Sequence, residues 1–166
     1  MLVVEFPDEQ SYQEALQRGL SKFGVVLSDD EALELLYTIG AQTILHEGTH
    51  ALIDSKPGSI FAKALEKGGF ENQEGRDSTL LDEGLTYAIQ NYFAPNNEKL
   101  GKLVVQSYSL EQLKDEPDPE IKKVQKRKYL GNILTPLVSE YFDGGRNLDE
   151  EFFERAFIYL AQVLEL

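Results

Sequence analysis

Along most of this 166-residue chain the apolar residues recur at three- and four-residue intervals, the spacing of helices that bury one face. Tyr12, Leu16 and Leu20 share one side of a segment from Asp8 to Leu20, which predicts a first helix. Two short apolar runs depart from that period. Leu2 to Phe6, ended by Pro7, reads as a strand, as does the Val-rich run Phe23 to Leu27. The second closes on Ser28-Asp29-Asp30, a helix N-cap followed by acids suited to a first turn.

The segment from about Asp30 to Asp54 is apolar nearly all the way round, the pattern of a buried central helix. Further on, Ile60 to Lys67 reads as a short helix within a glycine-rich stretch. Ser78 or Thr79 caps a helix ending near Phe93, before Ala94-Pro95-Asn96-Asn97. Three more helices are expected: Glu98 to Leu113, Pro119 to Phe142 with a possible kink at Pro136, and Leu148 to Leu164. Residues 1–166 are expected to form a single domain. No repeat interrupts it, and the linker Asp115 to Pro119 is too short to divide it.

Composition narrows the chemistry. With 42% hydrophobic residues the chain can bury a core, and its net charge of -13 argues against nucleic acid, whose phosphates need clustered Lys and Arg. The run Lys122 to Lys128 holds five basic residues, and a solvated helix face is the simpler reading than a docking patch. Phe152, Phe153, Phe157, Leu160 and Leu164 are more simply core than a dimer surface. No stretch approaches the roughly 20 apolar residues of a membrane span, and the N-terminus does not read as a signal peptide. The expectation is a cytoplasmic protein with no membrane or nucleic-acid partner. There is no cysteine, so any metal must be held by His, Asp or Glu, and the chain has only two histidines.

Both histidines fall in His46-Glu47-Gly48-Thr49-His50, an HExxH sequence on the most apolar predicted helix. Residues four apart on a helix lie about 40° apart around the axis, so the two imidazoles can chelate one ion. Burying such groups is costly unless something compensates them, and a metal ion does so. Glu47 lies beside that face, placed to take a proton from a water without being a ligand. A catalytic zinc site has three protein ligands and an open position, so the third ligand must here be a carboxylate. Asp54 sits roughly 12 Å along the axis from His46, too far to share an ion. Glu83 fits better: Leu81, Leu85, Ala88 and Tyr92 form the apolar stripe of its helix, while Glu83 shares another side with Thr86, Tyr87 and Gln90. Asp82, Asp77 and Glu74 are weaker contenders. Half of a di-iron carboxylate signature is also present, as Glu47-x-x-His50, but no histidine remains for the second half.

HEGTHAL followed by LLDEGLTYAI resembles the gluzincin metallopeptidases, in which HExxH precedes a helix carrying a Glu-Gly pair. The resemblance covers about Ile39 to Phe93, a third of the chain. It implies zinc held by His46, His50 and Glu83, with Glu47 as general base and proton shuttle, acting on a peptide or protein substrate. It further implies an α+β, mostly helical, zincin-like fold with a small N-terminal β-sheet packed on the HExxH helix. Phe23 to Leu27 is then the expected edge against which a substrate strand pairs. The sequence departs from the family in three ways. Thirty-two residues separate His50 from Glu83, Tyr87 stands where thermolysin-like enzymes place an Asp, and no third histidine is left to stabilise an oxyanion. Tyr108, Tyr129, Tyr141 and Arg146 are the candidates for that last role. The rival reading is a zinc-stabilised peptidase-fold module that binds a protein partner without catalysis.

Overall fold

The computed structural model describes residues 8–22, 24–52, 60–67, 76–94 and 107–166. They form seven α-helices: α1 (Glu9–Ser21), α2 (Asp29–Leu52), α3 (Ile60–Lys67), α4 (Arg76–Tyr92), α5 (Leu110–Asp115), α6 (Pro119–Asp143) and α7 (Glu150–Leu164). No strand occurs among the described residues, so the expected α+β fold with an N-terminal sheet is corrected to an all-helical one.

The reason lies in how α1 ends. The amide of Gly24 donates to the Ser21 carbonyl at 3.0 Å and that of Val25 to Leu20 at 3.1 Å, with Gly24 at φ 75°. That is a Schellman closure, which needs a left-handed residue and brings the next apolar side chain back onto the last helical turn. Val25 accordingly packs, as Leu16 and Leu20 do, against the cluster of Leu27, Ala32 and Leu35, while Val26 is 78% exposed. The in-out alternation that reads as a strand is the signature of this turn, and no neighbouring strand among the described residues pairs with it. The other expected strand, Leu2 to Phe6, lies outside the described residues.

Most helix starts follow local capping chemistry. Asp8, Asp118 and Asp149 cap α1, α6 and α7 by accepting from backbone amides in the first turn. Ser28 and Glu31 form a capping box before α2, with contacts of 3.2 and 2.8 Å. Ser109 and Gln112 form another before α5. This second box corrects the expected helix Glu98 to Leu113: residues 107–109 are not helical, and α5 starts at Leu110. Pro136 is accommodated within α6.

Two apolar clusters hold the helices. The main one combines Leu81, Leu85 and Ala88 of α4, Leu130, Leu134, Val138 and Tyr141 of α6, and Phe152, Ala156, Leu160 and Val163 of α7. Phe153 and Phe157 join this core as well, which settles the aromatic face of α7 as interior packing; Leu164 at its end is exposed. The smaller cluster ties α1 to the first half of α2 through Leu16, Leu20, Leu27, Ala32, Leu35 and Ile39. The central element is therefore the α4–α6 pair. The expectation that the HExxH helix is buried all round is corrected: α2 lies to one side, with Tyr37 61% and Ile44 76% exposed. The path of α4 over α6 is close because two glycines meet there. A Cβ on Gly84 would lie 2.6 Å from Leu130 Cγ, and one on Gly131 would lie 2.5 Å from Tyr87 Cβ. No described helix is long and apolar enough to cross a membrane.

Candidate metal centre

Two faces of α4 divide its work. Leu81, Leu85 and Ala88 turn into the core, and the residues between them, Asp82, Glu83, Thr86 and Gln90, turn towards α2. On α2 the answering residues are Gln42, His46, Thr49 and His50, spaced three or four apart along one helix face. The interface between these helices is consequently polar. Among the described residues Leu45 is the one from α2 that packs on the main apolar core, and hydrogen bonds tie the helices further along. Gln42 donates to the Phe93 carbonyl at 3.3 Å, and the Gln90 amide nitrogen donates to the Gln42 carbonyl at 3.4 Å.

Within this seam His46, His50 and Glu83 converge. One donor atom from each lies within 4.8 Å of the others. The two Nε2 atoms are 3.2 Å apart, and His46 Nε2 is 3.9 Å from Glu83 Oε2. Two donors on a tetrahedral ion with bonds near 2.0–2.1 Å are about 3.3 Å apart. The histidine pair already stands at that separation, and the carboxylate needs only a small side-chain movement to reach it.

The partners of the outer nitrogens suit one protonation pattern. His50 Nδ1 faces Asp82 Oδ1 at 3.0 Å, and a carboxylate can only accept there, so Nδ1–H donates. His46 Nδ1 faces Gln90 Oε1 at 3.4 Å, the amide being oriented by its own donation to Gln42. With both protons on Nδ1, each Nε2 presents a lone pair to the other and to the carboxylate of Glu83. Lone pairs so close repel unless a proton or a cation lies among them. Metal-ligating histidines commonly hold their second nitrogen in this way, which fixes ring orientation and raises basicity. The donor set, its spacing and its outer partners therefore fit a metal ion.

Burial pushes the Asp82 carboxyl above the usual range, and the His50 hydrogen bond pulls it back. Burial also raises the Tyr87 phenol, with the Glu83 carboxylate adding to it. The Tyr87 ring packs edge-on against His46 at 5.2 Å, and Lys128 lies 5.8 Å above that same ring. Glu83 Oε1 accepts from Arg127 Nη1 of α6 at 3.1 Å.

Glu47 is exposed beside the cluster, as its position one residue after His46 requires. Among the lesser ligand contenders, Asp82 sits outside the cluster as the partner of His50, Asp77 falls in the first turn of α4 with its side chain undescribed, and Glu74 lies outside the described residues. Of the four oxyanion candidates, Tyr108 is half-buried and near enough to Tyr87 to influence its phenol. Tyr129 packs against the main core. Tyr141 is fully buried among α6 and α7 residues, and Arg146 covers its ring at 4.0 Å while pairing with Asp149 and Glu151. Both belong to the far end of α6: Tyr141 is about 21 Å of helix rise from Arg127. Sequence reasoning missed Gln90 and Arg127. The helical register that placed Gln90 beside Glu83 was a usable signal for the first, whereas nothing local distinguished Arg127 from its basic neighbours.

No family model, curated protein or solved structure matches this chain. The candidate metal centre therefore rests on its own geometry. The sheet implied by the gluzincin resemblance does not occur among the described residues, and the likeness is carried by the motif alone.

Proposed function

We propose that the chain is a zinc-dependent hydrolase of peptide bonds, with His46, His50 and Glu83 as metal ligands and Glu47 as general base. The observation that carries this reading is the convergence of the three donors beside an exposed glutamate. Zinc is the ion of choice for a site of two imidazoles and one carboxylate, since no thiolate is present and the site is too poor in oxygen for calcium or magnesium. Such an ion supplies Lewis acidity, polarising a carbonyl and lowering the pKa of water near it.

The protein's own residues account for the rest. Asp82 and Gln90 keep both imidazoles in the tautomer that offers Nε2 inward. Glu47, held on the same helix as both histidines but outside the cluster, takes a proton from the attacking water and returns it to the departing amine. Its exposure leaves room for substrate on that side of α2. The test is Glu47→Gln. The variant should retain stoichiometric zinc and lose roughly 10²- to 10⁴-fold in peptide hydrolysis, the range supplied by a positioned acid–base group. Undiminished turnover in that variant, with zinc in place, would sink the catalytic role.

The second reading, a metal-stabilised module that binds a partner without catalysis, is favoured by the polarity of the α2–α4 seam. An ion bridging the two helices there would fasten α2 to a core that it otherwise touches through Leu45. Under that reading chelation lowers stability, and no peptide pool is cleaved at any enzyme concentration.

A further inference from the structure

We infer that Arg127 is a positioning residue for the metal: it occupies one oxygen of Glu83 so that the carboxylate binds an ion through the other oxygen alone. This rests on the reading that His46, His50 and Glu83 hold the ion.

The two oxygens of Glu83 are differently engaged. Oε1 accepts from Arg127 Nη1 at 3.1 Å, while Oε2 is the atom turned towards His46 Nε2, at 3.9 Å. Both side chains are largely shielded from water, at 22% exposure for Arg127 and 19% for Glu83, so the contact is not the loose pairing of a solvated surface. A guanidinium is planar and directional, and it fixes the plane of the carboxylate that it meets. Left to itself, a glutamate at the end of three rotatable bonds can bring both oxygens to an ion. A second oxygen would fill the coordination position that a three-ligand site keeps open for water. Arg127 removes that option.

The fold supplies the reason why an arginine from α6 reaches α4 at this point. Gly131 stands one helical turn beyond Arg127, and Gly84 follows Glu83 directly; these are the two positions where a Cβ would collide with the facing helix. The close crossing brings Arg127 against Glu83, so Gly84 serves the ligand next to it by admitting α6 rather than by touching the ion.

The experiment substitutes cobalt(II) for the native ion in the full chain and records the visible absorption of the wild type, Arg127→Met and Arg127→Lys. Zinc competition against a chromogenic chelator and far-ultraviolet circular dichroism accompany each spectrum. The wild type should give the intense bands of a four-coordinate site. In R127M the cobalt should still bind, with bands weakened and shifted as the freed oxygen adds a fifth bond, and R127K should move back towards the wild-type spectrum. A wild-type spectrum in R127M, or a weak five-coordinate spectrum in the wild type itself, would overturn the inference while leaving the metal site standing. If both variants lose their helical signal, Arg127 supports the fold instead of the ligand, and the inference also falls. Failure of the underlying site looks different: the wild type then binds neither cobalt nor zinc, or Glu83→Ala binds both as well as the wild type.

Discussion

Adding one methyl group at Gly131 should separate the central helices, and the size of the effect can be worked from the contacts. The new Cβ would stand 2.5 Å from Tyr87 Cβ, 3.2 Å from the Gly84 carbonyl oxygen and 3.3 Å from the Ala88 nitrogen. All three belong to the backbone of α4 or the root of a side chain, so no rotamer change relieves the clash and the helix itself must shift. Overpacking of this kind costs about 1–3 kcal/mol, and a contact with immovable atoms belongs at the upper end. Against it stands a gain of about 1 kcal/mol from replacing glycine by alanine within a helix. The net loss for Gly131→Ala is therefore about 2 kcal/mol, or about 4–8 °C in Tm for a chain of this size. Gly40→Ala provides the control. Gly40 lies within α2 with nothing inside 4 Å of the added carbon, so there the alanine gain should appear undiminished, as a stabilisation of about 0.5–1 kcal/mol. Urea unfolding of the metal-free proteins measures both. If G131A matches the wild type, or if G40A loses as much as G131A, the close crossing of α4 and α6 is not what these glycines provide.

Other outcomes follow from the same geometry. An ion present at a hundred times its Kd should stabilise the fold by about 2.7 kcal/mol. Differential scanning fluorimetry should show a rise of about 5–11 °C in the wild type, reversed by chelator and absent in Glu83→Ala. Asp82→Ala removes the acceptor of the His50 Nδ1 proton, and chelator competition should report a 10- to 100-fold weaker site; unchanged affinity would show that His50 needs no such support. Away from the site, the two nitrogens of the Arg155 guanidinium meet the two oxygens of Glu140 at 2.6 and 2.7 Å and hold that carboxyl below its ordinary value of 4.5. A carboxyl depressed in the folded state contributes stability that is complete above the unfolded value and is lost as pH falls through the folded one. The urea midpoint of Glu140→Gln should thus lie below that of the wild type at neutral pH, with the gap closing as pH falls below the ordinary carboxylate range; a gap independent of pH would contradict the assignment.

What the sequence determined by itself is everything that depends on a helix and its spacing. The four-residue spacing of His46 and His50 puts two imidazoles on one side of α2, and three- and four-residue spacing assigned Leu81, Leu85 and Ala88 to the core and Glu83 to the opposite task. Ser28 located the start of α2, because a cap is a contact within four residues and is written locally, whereas α4 already begins at Arg76, before the Ser78 or Thr79 expected to cap it. The errors have a common physical origin. Val25, Val26 and Leu27 carry the alternation of a strand, yet a strand exists only through a partner, and the partner is a matter of tertiary pairing. An apolar α2 looked central, but burial is set by what surrounds a helix, and here the neighbours cover one side. Arg127 was indistinguishable from the lysines around it until two glycines, forty-seven positions apart, brought α6 against α4. The sequence thus specified which side chains can ligate an ion. Only the packing of three helices decided which groups orient those ligands, because that depends on distances between segments that no local spacing encodes.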